Sequence, residues 1–449
     1  MKRYIVLTLL WLIGFETTGQ GVIFDDDVYR SAPVKPQLMR GDYQAPQSFS
    51  LKKYCPKLSN QLSYSTSVGW AIAWQARSIL YNKNHNLTGE ERNKFIFAPA
   101  YIYQKANQNN EGGCDEGITL ESGLKVVKEY GVPLFNDYVY FCGGSISPEL
   151  DEQAANYKIS DYSKVFELAD TKEKRIRLVK KTLSEGWPVV VGMQAPPSLR
   201  RSREFWQPSE SPSEQHPGQA LCVVGYDDNK YGGAFEVANS WGGDWGNDGF
   251  LWIRYKDFAE FVKYAYEVFS AQTENHYRLK GGVKFQLSSK DFMPVESVGE
   301  GRYVMKETYS SGTQFQIFVT NEDPAFVYVF GSDLTNECFQ IFPHKKTVSA
   351  ALTYKSSHIA IPDENHFIEF DDTPGTDFLC VLYSREELDI EGIIQTIESS
   401  SGSFYEKVKS SLGKQVLNTN INWADEDIAF DASTDNGSIV SLVVEVKHN

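Results

Sequence analysis

QLSYSTSVGWA, residues 61–71, is the stretch that decides the fold of this chain. Two hydroxyl residues, Ser65 and Thr66, precede a run that stays largely apolar as far as Leu80. Hydroxyl side chains favour the start of a helix because they accept hydrogen bonds from its unpaired N–H groups. A helix that is apolar on most of its surface must be buried. The stretch therefore predicts a central, buried helix that begins near Ser67.

Helical and strand patterns surround this helix between residues 51 and 275. Thr119 opens a predicted second helix that ends at Gly131 and Pro133, and residues 172–185 form a third. Strand patterns separated by glycine turns follow at residues 189–192, 220–226, 234–238 and 250–255. Helices first and strands afterwards are typical of an α+β domain with two segregated lobes.

The pattern changes after about residue 280 to strands nearly throughout. Phe315, Ile317 and Val319 alternate with polar residues, and turn signals separate further short apolar runs. This spacing predicts a β-sandwich-like domain over residues 280–449, with one helix near residues 386–399.

The N-terminal end has the features of an export signal. Lys2 and Arg3 precede an apolar run from residue 4 to about 15 and small or polar residues to Gly19. We interpret residues 1–19 as a signal peptide, with a buried N-terminal strand as the alternative. The run is too short to span a bilayer, and no later stretch is apolar enough. Periplasmic or extracellular localisation without a membrane span is therefore expected.

Residues 20–50 contain three prolines and the acidic triplet Asp25–Asp27. We interpret this segment as an extended lead-in and the triplet as a solvated charge run. The formal net charge of the whole chain is −15, which argues against nucleic acid or anionic lipid as a partner.

The cysteines allow disulfides in an exported protein. There are six of them, and sequence alone does not give their connectivity. Cys114 with Cys142, and Cys338 with Cys380, are the expected pairs because each lies within one domain. Cys222 lies in an apolar run and is expected to be a buried small hydrophobe. No CxxC motif or histidine-rich cluster is present, so no metal or cofactor is expected.

A second set of motifs lies about 150 residues after the first. It comprises GQALCVVGYDD at residues 218–228, ANSWG at 238–242 and WGNDGF at 245–250. Together with residues 61–71, these motifs resemble the papain family of cysteine peptidases (C1), in its bacterial type. The resemblance implies a two-lobed domain over residues 51–275, with a helical lobe and a β-barrel-like lobe.

The resemblance assigns a role to four positions. Gln61 takes the oxyanion-stabilising position and Ser67 the nucleophile position. Gln219 takes the general-base position, and Asn239 the position that orients the base. Ser67 and Gln219 are 152 positions apart, near the separation expected for such enzymes.

The two reactive side chains of the family are absent from these positions. The family's mechanism needs a thiol whose pKa is lowered by an imidazolium, and Ser67 supplies only a hydroxyl. A hydroxyl needs a neighbouring base, and the amide of Gln219 has no useful basicity. Leu62 and Ser65 also replace two glycines of the family pattern, and Tyr64 replaces a cysteine. The resemblance therefore implies an inactive homologue, a pseudopeptidase.

Other landmarks of the family survive. Gly117 lies in a loop that resembles the one whose backbone pairs with a bound peptide. Trp241 and Trp245 resemble the aromatic wall of the cleft, although packing between the lobes explains them equally well. The C-terminal half, at residues 327–330, 341–343, 358–362 and 375–379, resembles a β-rich accessory domain of unknown function found with bacterial peptidases and kinases.

Three functions are consistent with the sequence. The leading hypothesis is an inactive homologue that binds a peptide or protein segment in its cleft. The second is a hydrolase in which Ser67 attacks and His216 acts as base, although a loop histidine in solvent is the simpler interpretation. The third is a structural scaffold of an envelope assembly. The oligomeric state is not indicated.

Overall fold

The computed structural model describes residues 21–36, 45–107, 113–270, 278–333, 335, 337–353, 357–424, 427–434 and 437–449. The predicted signal peptide lies outside these residues. Across the described ranges, no helix combines the length and the apolar character needed to cross a membrane.

The helices are α1 Asp26–Ser31, α2 Ser67–Gly69, α3 Ser78–Asn84, α4 Pro99–Ala106, α5 Leu120–Glu129, α6 Pro148–Ala155, α7 Lys172–Ser184, α8 Pro197–Arg200, α9 Tyr255–Phe261, α10 Ile390–Ser399 and α11 Phe404–Leu412. The strands of the N-terminal half are β1 Gly21–Val22, β2 Ser48–Ser50, β3 Asp161–Lys164, β4 Val189–Gln194, β5 Phe205–Trp206, β6 Gly218–Asp227, β7 Ala234–Ala238, β8 Phe250–Arg254 and β9 Val262–Phe269. Those of the C-terminal half are β10 Arg278–Leu287, β11 Val295–Gly299, β12 Arg302–Tyr309, β13 Gln314–Asn321, β14 Ala325–Ser332, β15 Cys338–Phe342, β16 Ala351–Leu352, β17 Ser357–Ile361, β18 Ile368–Glu369, β19 Gly375–Ser384, β20 Ile421–Trp423, β21 Ile428–Ser433 and β22 Ile439–His448.

The central helix runs from Ser67 to Asn84 and is buried along most of its length, as its apolar sequence predicts. Its middle part, Trp70–Arg77, is a π-helix between α2 and α3. Gly69 allows the close approach of α4, because a Cβ atom there would lie 2.3 Å from the carbonyl oxygen of Pro99.

The first sheet is organised around β6. Its strand order is β3-β9-β4-β6-β7-β8-β5, and the short strands β1 and β2 both pair with β6. All residues of β6 except the last are buried. Gln219 is the second residue of this buried strand. Its backbone is therefore fixed on both sides by neighbouring strands, and its side chain has little conformational freedom.

The C-terminal half is a β-sandwich of two sheets. One has the order β17-β13-β10-β21-β20 and the other β11-β12-β22-β19-β14-β15. Apolar residues of both sheets form one core, for example Ile317 from the first and Leu442 from the second. The α+β fold class with a β-sandwich-like second domain is confirmed.

The extended lead-in is a partly wrong prediction. Asp25 caps α1 by accepting hydrogen bonds from the backbone N–H groups of Asp27 and Val28. Asp26 accepts a 2.6 Å hydrogen bond from the hydroxyl of Tyr264. The acidic triplet is therefore a helix start that is tied to β9, and only part of it is simply solvated.

One of the two expected disulfides forms. Cys114 and Cys142 are bonded, whereas Cys338 and Cys380 are free. Both free cysteines flank β14, where Cys338 lies opposite Ser332 and Cys380 lies opposite Phe330. A strand therefore separates the two thiols, which is why sharing a domain was not enough to pair them.

A seam joins the two domains through residues 33–35. Val34 bridges to Lys164 on one side and to Val348 of the second domain on the other. Lys35 is buried, and its Nζ lies 2.5 Å from Glu267 and 2.8 Å from Glu185. Thr353 of the second domain donates a 2.6 Å hydrogen bond to Glu267.

We expect Lys35→Ala to lower the free energy of unfolding by about 3–5 kcal/mol, because it removes the cation that contacts two buried carboxylates. Denaturant unfolding followed by tryptophan fluorescence measures this. Lys172→Ala is the matched control, since Lys172 and its partner Glu260 are 54% and 37% exposed. It should cost no more than about 1 kcal/mol. Equal losses in both variants would contradict a stabilising role of the buried cluster.

Candidate functional site

Ser67 lies at the first position of the central helix, where the helix meets β6. Its side chain is fully buried. Its Oγ accepts a 3.2 Å hydrogen bond from the backbone N–H of Ala220 in β6. No base is hydrogen-bonded to this hydroxyl within the part of the chain that the structure describes.

Gln219 is the centre of a buried hydrogen-bond network. Its Nε2 donates to Asn239 Oδ1 at 2.8 Å and to Gln61 Oε1 at 3.1 Å. All three side chains are 0% exposed. The structure therefore brings together the side chains predicted for the base, orienting and oxyanion positions. In this arrangement the amide of Gln219 is a donor, and a donor does not take a proton from a neighbouring hydroxyl.

Ser240 completes the network and was not among the predicted site residues. Its hydroxyl donates a 2.6 Å hydrogen bond to Gln61 Oε1 and lies 3.4 Å from Gln219 Nε2. The backbone N–H of Gln61 also donates to the Ser240 carbonyl, at 2.8 Å. Ser240 belongs to the motif Asn239-Ser240-Trp241-Gly242, but nothing in the sequence distinguishes it from any other serine or predicts its hydrogen bond.

Gln61 also makes a hydrogen bond within its own loop. Its Nε2 donates a 2.8 Å hydrogen bond to the carbonyl of Tyr64. Between these two residues, Leu62 has φ = 61°, a left-handed conformation that favours glycine. The loop therefore keeps the backbone path expected from the family pattern although its glycine is absent.

His216 and Ser67 are not brought together by any hydrogen bond. The His216 ring packs 6.4 Å from the ring of Phe261, and its Nε2 lies 3.9 Å from the carboxylate of Glu214. Its backbone N–H donates to Gln194 Oε1 at 3.2 Å. The His216 side chain is only 9% exposed, so the interpretation of a loop histidine in solvent is wrong: the ring is largely buried near Phe261.

The two free thiols that the structure describes in the first domain, those of Cys222 and Cys55, do not substitute for a reactive thiol at position 67. Burial raises the pKa of the Cys222 thiol well above its usual value. Burial also raises the pKa of Cys55, to about 12. Both thiols are therefore protonated near neutral pH and unreactive as nucleophiles.

The groove, defined here as the space between the start of β6 and residues 117–118, is occupied by the chain's own residues 21–24. In β1, Gly21 pairs with Gln219 and Val22 pairs with Gly218, antiparallel to β6. On the opposite wall, Ile118 N–H donates to the Gly21 carbonyl and Ile23 N–H donates to the Ile118 carbonyl, both at 3.0 Å. The segment therefore pairs with both lobes through its backbone.

Gly117 contacts the N-terminal segment, whereas Trp241 lies beside Asn60 in the loop before the central helix. A Cβ atom on Gly117 would lie 2.4 Å from the Gly21 carbonyl oxygen, so only glycine allows the segment to approach this closely. Trp241 is half-buried, packs edge-on against Trp245 at 5.3 Å, and has the guanidinium of Arg200 4.6 Å from its ring. Its two suggested roles, as wall and as packing surface, are compatible.

Among the described residues, no group of three His, Cys, Asp or Glu side chains is placed so that it could hold a metal ion.

The family model described as papain family cysteine protease matches residues 91–270, a range that contains Gln219 and Asn239 but not Ser67. The model of a domain of unknown function, DUF4384, matches residues 308–387.

Individual relatives are similar over about half of the chain. An uncharacterized peptidase C1-like protein, L477, of Acanthamoeba polyphaga mimivirus is 27% identical over 240 residues, which cover 51% of this chain and 74% of that protein. Xylellain, a cysteine protease from Xylella fastidiosa, is 21% identical, with a TM-score of 0.46 over 57% of this chain and 97% of its own. The bromelain protease of Ananas comosus, solved with the E64 inhibitor, is 16% identical, with a TM-score of 0.40 over 50% of this chain and 100% of its own.

We expect Gln219→Leu to lower the free energy of unfolding by about 1–3 kcal/mol, because it removes the donor shared by the buried oxygens of Gln61 and Asn239. Chemical denaturation measures this loss. Gln215→Leu is the matched control, because Gln215 is exposed on the loop before β6. It should change stability by no more than about 0.5 kcal/mol. A neutral Gln219→Leu would mean that the network does not join the lobes.

Proposed function

We propose that this chain, which carries a papain-family (C1) peptidase domain followed by a DUF4384 domain, is a catalytically inactive homologue that binds an extended peptide or protein segment in its groove. The observation that carries the proposal is the state of Gln219, whose amide donates to Asn239 and Gln61 where an imidazole would be needed.

The loss of chemistry follows from the paired change at two positions. A serine beside an intact imidazole would resemble a serine-type nucleophile, and a cysteine can react without help when its pKa is low. The combination of Ser67 and Gln219 provides neither an imidazole to activate the hydroxyl nor a thiol of low pKa. Removing nucleophile activation typically slows such enzymes by factors of about 10⁴ to 10⁶.

The binding part of the proposal is supported by the walls of the groove. Backbone groups of β6 and of residue 118 hold an extended segment by main-chain hydrogen bonds, which is the mode of β-strand addition. Such pairing needs no reactive residue, so it survives the loss of the thiol and the imidazole. We further propose that the protein is exported after removal of residues 1–19, to the periplasm or the extracellular space.

We expect the intact chain, at high micromolar concentration, to retain peptides from a library of extended sequences without cleaving them. Mass spectrometry of the retained and released fractions measures both properties. Gly117→Trp should abolish retention, because any side chain at this position meets a segment in the groove. Phe339→Trp is the control, since Phe339 is exposed on the second domain.

Two outcomes would contradict this proposal. Retention that is unchanged in Gly117→Trp would place binding outside the groove and favour a scaffold role. Cleavage that Ser67→Ala abolishes, together with labelling of Ser67 by a fluorophosphonate probe, would establish a serine nucleophile instead.

We expect the double variant Ser67→Cys with Gln219→His to gain a reactive thiol. Asn239 Oδ1 lies 2.8 Å from the present amide nitrogen, so it can orient an imidazole, which lowers the pKa of an adjacent thiol. Iodoacetamide labelling at pH 7 should be about tenfold faster, or more, than in Ser67→Cys alone. Equal labelling rates would show that an imidazole at position 219 does not lie close enough to position 67 to lower the pKa of a thiol there.

A further inference from the structure

A cavity lies at the end of β6 that is remote from Gln219. Its volume is about 490 Å³, which is within the range of small-molecule sites in proteins. The loop between β6 and β7, the first turns of α7, and the junction of β8 with α9 line it. Asp227, the last residue of β6, comes eight positions after Gln219, so the two ends of the strand are about 25 Å apart. The cavity is therefore separate from the groove.

The loop between β6 and β7 has an unusual backbone at the cavity. Tyr231 has φ = 54° and ψ = 25°, and Gly232 and Gly233 follow with φ = 78° and 98°. Glycine adopts such left-handed conformations freely, whereas a residue with a bulky side chain does so at a cost. Backbone strain of this kind is concentrated at binding and catalytic sites. The path of the loop alone would favour a third glycine, so the tyrosine ring is the feature that offsets the strain.

The Tyr231 ring borders the cavity in a fixed orientation. It stacks on the ring of Phe205 in β5, with centroids 4.5 Å apart and planes 12° from parallel. The residue is nevertheless 38% exposed. A Cβ atom on Gly232 would meet no atom within 4 Å, so the space beside the ring is open. A Cβ atom on Gly233 would lie 2.6 Å from the ring of Tyr255, which brings a second tyrosine to the cavity wall.

The charged side chains that line the cavity are of both signs. They are Lys172, Glu173, Arg254, Lys256 and Glu260. Lys172 pairs with Glu260, and Arg254 pairs with Asp257 at 2.6 Å. A charged ligand would have to compete with these ion pairs and would also meet side chains of its own sign. A neutral hydroxyl group fits both kinds of side chain, because it donates to a carboxylate and accepts from an ammonium or guanidinium group.

We propose that this cavity binds a sugar ring of a neutral glycan, which stacks on Tyr231 while its hydroxyl groups bond to the charged side chains. A pyranose has an apolar C–H face and a rim of hydroxyl groups. It therefore matches an aromatic wall that stands beside mixed donors and acceptors. The inference goes beyond the proposed function, because it concerns a second site at the other end of β6.

The test measures the binding of neutral oligosaccharides to the intact chain by isothermal titration calorimetry. The probes are cellohexaose, maltohexaose, xylohexaose and hexa-N-acetylchitohexaose. We expect at least one of them to bind with a Kd below about 1 mM. Tyr231→Gly should weaken this binding about tenfold or more, because it removes the stacking ring. Tyr231→Phe keeps the ring and should bind within about twofold of the wild type.

Two further variants make the test specific. Tyr140→Gly is the matched control and should bind like the wild type, since Tyr140 is 48% exposed and does not line the cavity. Gly232→Asn keeps the Tyr231 ring and should also weaken binding about tenfold, because the asparagine side chain takes up open space in the cavity. Asparagine tolerates the left-handed conformation of this position. This variant tests the site independently should Tyr231→Gly disturb the loop.

Each remaining outcome contradicts the inference. It is overturned when none of the four oligosaccharides binds the wild type, or when a folded Tyr231→Gly or Gly232→Asn chain binds as tightly as the wild type. It is also overturned when Tyr140→Gly or Tyr231→Phe loses as much binding as Tyr231→Gly. Peptide retention is measured separately and should be the same in Tyr231→Gly and the wild type, so failure of the glycan site leaves the proposed function untouched.

Discussion

The amide of Gln219 joins the two lobes, and the rest of the groove depends on this contact. Gln61 belongs to the loop that leads into the central helix, whereas Gln219 lies in β6 and Asn239 directly follows the adjacent strand β7. The network is fully buried and neutral. A thiolate–imidazolium pair in the same place would put two charges in a medium of low polarity, which is costly unless both are well solvated by hydrogen bonds. The neutral network avoids that cost, although Gln219 Oε1 and Asn239 Nδ2 are buried without a hydrogen-bond partner among the described residues.

The groove floor and the groove walls have different physical requirements. Chemistry at the floor needs particular side chains at Ser67 and Gln219, whereas pairing along the walls needs only backbone groups and the absence of side chains at Gly117 and Gly218. A chain can lose the first set and keep the second. This separation explains how a groove can stay well formed after the residues at its centre have changed.

Much of the architecture could be predicted from the sequence because local signals agreed with burial. Thr119 caps α5 as expected, and the strand patterns at residues 220–226 and 234–238 became β6 and β7. The helix α11 was not predicted, although Ser403 and Glu406 form a capping box at its start. The four site residues were placed by family resemblance, because they lie in distant parts of the chain and the buried network joins only three of them, Gln61, Gln219 and Asn239. The position of residues 21–24 in the groove was not predicted. Pairing through the backbone leaves no side-chain pattern in a sequence, and a single glycine such as Gly21 is an ordinary turn signal.

The seam at Val34 has a consequence for how the two domains behave. One backbone segment pairs with β3 of the first domain and with residues 347–349 of the second, and the buried Lys35 lies beside it. The domains are thus held by a shared strand and a shared ion cluster as well as by the covalent chain. A protease cut in the covalent connection would leave two fragments that purify together, and the seam would then act as the interface of a heterodimer.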